Sequence, residues 1–100
     1  MEIIKAIENK ILDVKLVGRL DTNTAPELDN DLKDDIEAVD KIELDLKELD
    51  YISSAGLRTI LVLHKQMTAK KGSLVVLHPK DEVMEVFDMT GFSSFLNIED

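Results

Sequence analysis

Asp50-Tyr51-Ile52-Ser53-Ser54-Ala55-Gly56-Leu57-Arg58 joins an alternating strand to an apolar-periodic helix. Upstream, Ile42, Leu44 and Leu46 alternate with Glu43 and Asp45, which predicts a half-buried strand over residues 41–46. Downstream, Leu57, Ile60, Leu61, His64 and Met67 or Thr68 recur at three- and four-residue steps, the stripe of a helix. Strands that alternate with helices make an α/β fold. The junction also places two hydroxyls where a helix start offers unpaired N–H groups and the positive end of its dipole. A phosphate is stabilised at such a place, and it adds about 1.5 to 2 negative charges to a small patch.

The rest of the chain fits the same architecture. Residues 3–7 and 11–17 read as two strands, and Glu8-Asn9-Lys10 between them makes a hairpin. Gly18 and Asp21 to Asn23 break the strand pattern. Ala25, Leu28, Leu32, Ile36 and Val39 then form a helical stripe, with Thr24 as N-cap and Pro26 and Glu27 in its first turn. Lys70-Lys71-Gly72 stops the second helix. Leu74-Val75-Val76-Leu77 is a continuous apolar run, the pattern of a strand covered on both faces. His78-Pro79-Lys80-Asp81 turns into a third helix bearing Val83, Met84, Val86 and Phe87, ended by Thr90-Gly91. Residues 95–98 make a short final strand. The order is β-β-α-β-α-β-α-β, which implies a mixed, mostly parallel sheet with helices packed on it. Sites in such sheets lie beyond the carboxyl ends of the strands, where the serine pair falls.

Length and charge narrow the function. One hundred residues read as one domain over 1–100. With 44% hydrophobic residues and 4 aromatics, the core must be mostly Leu, Ile and Val. A net charge of -9 disfavours binding to nucleic acid or to an anionic membrane surface. It fits a soluble cytoplasmic protein with a protein partner. The absence of Cys removes disulfides, thiolate nucleophiles and zinc–thiolate sites. The start Met1-Glu2-Ile3-Ile4-Lys5 lacks the layout of a signal peptide. No apolar run nears the roughly 20 residues that span a bilayer.

Several candidate chemistries can be weighed on residues alone. Either Ser53 or Ser54 can cap the second helix. A hydrolase elbow would need Gly-x-Ser-x-Gly, and Ile52 stands where the first glycine belongs. His64 and His78 are the only imidazole bases, and two lone histidines make a weak metal site. Asp29, Asp31, Asp34, Asp35 and Glu37 read as a solvated helix face, without the glycine and offsets of a calcium loop. Four glycines supply no phosphate loop. Met84, Phe87 and Met89 fit core packing better than a docking groove. Asp21 suits turn chemistry or a helix cap. Parallel pairing of the second and third strands would bring it to the rim that carries Ser54.

Four motifs in order resemble those of the anti-sigma factor antagonists, the free-standing STAS-domain proteins of partner-switching pathways. They are Gly18-Arg19-Leu20-Asp21 with Thr24, Ile42-Glu43-Leu44-Asp45-Leu46, Ile52-Ser53-Ser54-Ala55-Gly56-Leu57, and Val86-Phe87-Asp88-Met89-Thr90-Gly91. The resemblance covers essentially the whole chain. It implies a STAS-like fold, a non-enzymatic cytoplasmic regulator, and no cofactor or metal. The dephosphorylated protein would bind an anti-sigma factor that is also a serine kinase, releasing the sigma factor. Phosphorylation would switch binding off, and a PP2C-type phosphatase would reset it. By position Ser54 matches the phosphoacceptor, with Ser53 as the alternative; many members carry Asp where Ser53 stands. The docking face implied comprises Asp21, Thr22, Asn23, Thr24, Ser53, Ser54, Ala55, Gly56, Leu57 and Arg58. The other reading is a STAS subunit of a transport or stress-signalling complex that does not cycle phosphate.

Overall fold

Alternation along the strands decides which face of the sheet is covered. The computed structural model describes residues 1–100. Strands β1 (Glu2–Glu8), β2 (Ile11–Leu20), β3 (Lys41–Ile52), β4 (Ser73–Leu77) and β5 (Asn97–Glu99) form one sheet in the order β1-β2-β3-β4-β5. β1 runs antiparallel to β2, and every other pair is parallel. Leu12, Ile42 and Leu74 stand in register, as do Val14, Leu44 and Val76. Helices α1 (Ala25–Leu32), α2 (Ser54–Ala69) and α3 (Asp81–Thr90) bury their stripes against that same set of residues. The core is therefore a single layer between the helices and one face of the sheet. At its centre Phe87 is fully buried.

The other face carries no helix, which differs from the expectation for Leu74 to Leu77, although Val75 is only 5% exposed there. Leu74 and Val76 join the core, whereas Val75 and Leu77 point the other way, in register with Glu43 and Asp45. The apolar run reflects apolar positions on both faces, without helices on both. On that face Asp13 lies against Glu43, and the shared hydrogen bond raises its pKa.

Element ends also depart from the reading of periodicity. β3 continues six residues past Leu46, and β2 runs through Gly18 to Leu20. The reason is two register shifts between β2 and β3, at Lys15/Val17 and at Gly18/Arg19. They move the buried positions to Leu49 and Ile52, three residues apart, so the period of two is lost. Gly18 takes φ +111, which a side chain rarely adopts. α1 stops at Leu32, and Ile36 and Val39 of its predicted stripe follow it in a 3-10 turn (Ile36–Ala38) and a connection. Asp31, Asp34 and Asp35 at its carboxyl end oppose the helix dipole, with no base in the last turn. Lys5 clamps this end to β1. Its Nζ donates to the Asp31 carbonyl at 2.9 Å and to Asp35 Oδ2 at 2.7 Å. Lys70 holds the 3-10 turn by donating to the Ile36 and Val39 carbonyls at 2.7 and 2.6 Å. At the end of α2 the left-handed residue is Lys71, φ 65. Gly72 is needed because a Cβ there would lie 2.5 Å from the Asp40 carbonyl oxygen. The last strand is shorter and later than expected, because a 3-10 turn (Phe92–Ser94) leads into Phe95.

Truncating Phe87 to Ala should lower unfolding stability by about 3–5 kcal/mol. Met89→Ala, at a position 78% exposed, should stay within about 0.5 kcal/mol of wild type. Urea denaturation of both variants checks this, and equal losses would refute the placement of α3.

Candidate functional site

The rim at the carboxyl ends of β2 and β3 gathers the residues singled out by sequence. Leu20 and Ile52 pair in parallel, and the Ser53 N–H donates to the Leu20 carbonyl at 2.9 Å. The chain then turns directly into α2. Gly56 packs onto this junction: a Cβ there would lie 2.9 Å from the Leu20 carbonyl oxygen and 2.8 Å from Leu20 Cγ. Only glycine lets the first turn of α2 sit so close to β2.

The two serines divide the work. Ser53 has extended backbone angles and is the N-cap, its Oγ accepting from the Gly56 N–H at 3.4 Å. Ser54 is the first helical residue, is exposed, and makes no side-chain hydrogen bond. Its hydroxyl stands beside first-turn N–H groups that have no intrahelical acceptor. The helix also carries no acidic residue in its first turn, so nothing offsets the positive dipole end there.

Asp21 organises the loop between β2 and α1. Its Oδ1 accepts from the Asn23 and Thr24 N–H groups at 3.0 and 3.1 Å. Those donors hold the carboxyl below the usual carboxylate range, the Thr24 N–H most, with a smaller contribution from the Arg19 guanidinium. Thr24 occupies the N-cap position of α1, yet its hydroxyl does not cap the helix. It donates to the Arg19 carbonyl at 2.8 Å and accepts from the Asp21 N–H at 2.8 Å. The loop is thus closed on itself before α1 starts.

Thr22, Ala55 and Arg58 line one groove of about 320 Å³ between α1 with its leading loop and α2, together with Pro26, Asp29 and Thr59. Asn23 is exposed beside it. Gly56 and Leu57, expected on the docking face, are buried and support it from beneath. Two further residues belong to the rim. The Arg19 guanidinium stacks over the Tyr51 ring at 4.2 Å and lies 3.8 Å from Asp21 Oδ2. Tyr51 is 41% exposed. The pairing of Arg19 with Tyr51 follows the second register shift, so strand alternation did not flag it. The histidines stand elsewhere: His64 packs on Phe95 with centroids 5.3 Å apart, and His78 follows β4.

A mostly parallel sheet with helices on one face, and an exposed hydroxyl at a strand-to-helix junction, defines a small α/β domain that presents one rim. The STAS domain family model matches residues 2–100, and the chain belongs to that family. BtrV of Bordetella bronchiseptica, a proposed anti-sigma factor antagonist, is 38% identical over 84 residues, 83% of this chain and 72% of that protein. The anti-sigma-B factor antagonist of Bacillus subtilis is 28% identical over 95 residues, 95% of this chain and 86% of that one. The anti-sigma factor antagonist SpoIIAA in its unphosphorylated form shares the fold with TM-score 0.81 at 19% identity, over 99% of this chain and 88% of that one. SpoIIAA of Bacillus in its phosphorylated form gives 0.78 at 19% identity, over 97% and 90%. No helix here is long and apolar enough to cross a membrane.

Ser53→Ala should cost about 0.5–2 kcal/mol through loss of the cap. Ser54→Ala should stay within about 0.5 kcal/mol of wild type. Thermal or urea unfolding separates them, and the opposite ranking would exchange their roles. Asp21 has a depressed folded pKa, so its contribution is full above the ordinary carboxylate range and fades as pH falls through that value. Asp21→Asn should therefore be less stable than wild type at neutral pH and converge with it in acid. Parallel pH–stability curves would contradict this role.

Proposed function

We propose that this chain is an anti-sigma factor antagonist whose binding is switched by phosphorylation of Ser54. The observation that carries the proposal is the division of the serine pair. Ser53 is half-buried and engaged as a cap, while the Ser54 hydroxyl is exposed and makes no hydrogen bond. The names of the curated relatives support binding to an anti-sigma factor. SpoIIAA solved in two phosphorylation states supports a phosphate switch on this fold.

The dephosphorylated protein would present the loop, the start of α2 and Arg58 to the partner. A phosphate on Ser54 would be met by the first-turn N–H groups and the helix dipole. The domain would need no refolding to hold it. A partner surface docked over it would have to strip about 1.5 to 2 negative charges of water without neutralising them. Leaving a charge buried and unpaired at an interface costs several kcal/mol, about 3–5 where one partner of a pair is lost. The kinase would be the anti-sigma factor itself, which brings ATP and its metal; a PP2C-type phosphatase would reverse the reaction. The protein would act in the cytoplasm as a substrate and binding partner, with no catalysis of its own.

Incubation with the purified cognate anti-sigma factor and ATP should place one phosphate on wild type and none on Ser54→Ala, read by intact mass and peptide mapping. Ser54→Ala should keep its affinity for the anti-sigma factor, and Ser54→Asp should lose at least about tenfold, roughly 1.4 kcal/mol. Phosphate on Ser53 would move the acceptor by one residue. Equal binding by wild type, Ser54→Asp and the phosphorylated chain would establish a non-switching STAS subunit instead.

A further inference from the structure

Charge is segregated along this chain. Residues 51–80 contain no Asp or Glu, and they hold Arg58, Lys65, Lys70, Lys71 and Lys80. All 21 acidic residues lie outside that span. α2 is therefore a basic helix on an acidic protein. Arg58 and Lys65 are exposed, and neither pairs with a carboxylate.

Beside Lys65 runs a groove of about 530 Å³, lined by Leu61, His64, Lys65, Thr68, Ala69 and Phe95. Its walls are apolar. Phe95 leaves 41% of its surface exposed there, in a chain with three Phe. His64 Nδ1 is buried without a hydrogen-bond partner.

Ser54, Arg58, Leu61, Lys65 and Thr68 follow one another at steps of four and three, so they share one face of α2. The groove thus borders the helix face whose first residue is Ser54. We propose that it docks an acidic amphipathic segment of the protein partner: apolar side chains against Leu61 and Phe95, carboxylates against Lys65 and Arg58. This rests on the reading of Ser54 as the switch. A segment laid along α2 would meet Ser54 at one end, and a phosphate there would repel it. The acidic surroundings favour a short segment over an extended polyanion, which would meet repulsion on every side of the helix.

The test is a ¹⁵N NMR titration of the full chain with a synthetic helical peptide bearing Leu and Phe on one face and Glu on its flanks. Amide shifts should concentrate at Leu61, His64, Lys65, Thr68 and Phe95. Lys65→Glu, checked for an unchanged fold by circular dichroism, should weaken binding at least about tenfold, and so should added salt in proportion. A peptide with every Glu changed to Lys, a single-stranded oligonucleotide and anionic phospholipid vesicles should leave these amides unmoved. Shifts outside the groove, equal binding by Lys65→Glu, or an equal response to the reversed peptide, oligonucleotide or vesicles would overturn the proposal. Phosphorylation of Ser54 by the anti-sigma factor is scored separately. A chain that is phosphorylated while its groove ignores the peptide keeps the switch and loses the groove. The reverse result keeps the groove and loses the switch.

Discussion

The carbonyl of Leu20 is the point on which the rim is built. It ends β2, accepts the Ser53 N–H at 2.9 Å and underlies Gly56. A strand end, a cap and the first turn of a helix therefore share one atom's surroundings. The seat is as close as a helix can come to that strand, since even a methyl group at position 56 would meet Leu20 and Ile52 below 3 Å. Closeness is what makes the Asp21–Thr24 loop and the start of α2 one surface. The loop follows Leu20 directly, and α2 follows the strand paired with it. Two register shifts earlier in that pairing bring Leu49 and Ile52 into the core and leave Tyr51 outside, where Arg19 stacks on it.

Rigidity of this kind suits a switch that works by charge. The helices bury one continuous core against a single sheet face, and Asp21 and Thr24 close the loop with their own backbone. An added phosphate would lie at the positive end of the α2 dipole, beside a loop already closed by its own hydrogen bonds. The change would be one of surface potential. In a chain of net charge -9, the only long stretch free of acids begins at Tyr51 and carries α2. A new dianion at the head of that helix alters the field where it differs most from the remaining surface.

Much of this was legible in the sequence, and the failures have physical causes. The strands and helices whose alternation or stripe is regular, such as Ile42, Leu44 and Leu46, were placed correctly because burial on one face enforces the period. The extension of β3 to Ile52 was hidden because bulges change the period inside the strand. The false continuation of α1 came from Ile36 and Val39, which keep helical spacing while the acidic carboxyl end and the Lys5 clamp stop the helix. The lack of helices on the second sheet face is not legible, since Val75 and Leu77 are apolar without a helix above them. At the site, hydroxyl pair and glycine were readable as residues. Which serine caps was not, because both choices fit one helix start and only the backbone angles of Ser53 decide between them. The groove at Phe95 had no local signal, since it joins residues of α2 to a residue some thirty positions later in chain order.

Serine at position 53 also bears on how large the switch can be. The resemblance to the anti-sigma factor antagonists places Asp there in many members. Asp and Ser are equally good N-caps, so the fold does not choose between them. The charge does. An Asp would put a permanent negative charge one residue before the acceptor, and the partner would meet an anion in both states. With Ser53 the junction carries no side-chain anion, and the positive end of the α2 dipole and Arg58 would face a docking partner. On the proposed reading, the whole change in potential would come from a phosphate on Ser54. The fixed anion on this rim is instead Asp21, at the start of the loop after β2. Its carboxyl is kept ionised by the amides of Thr24 and Asn23.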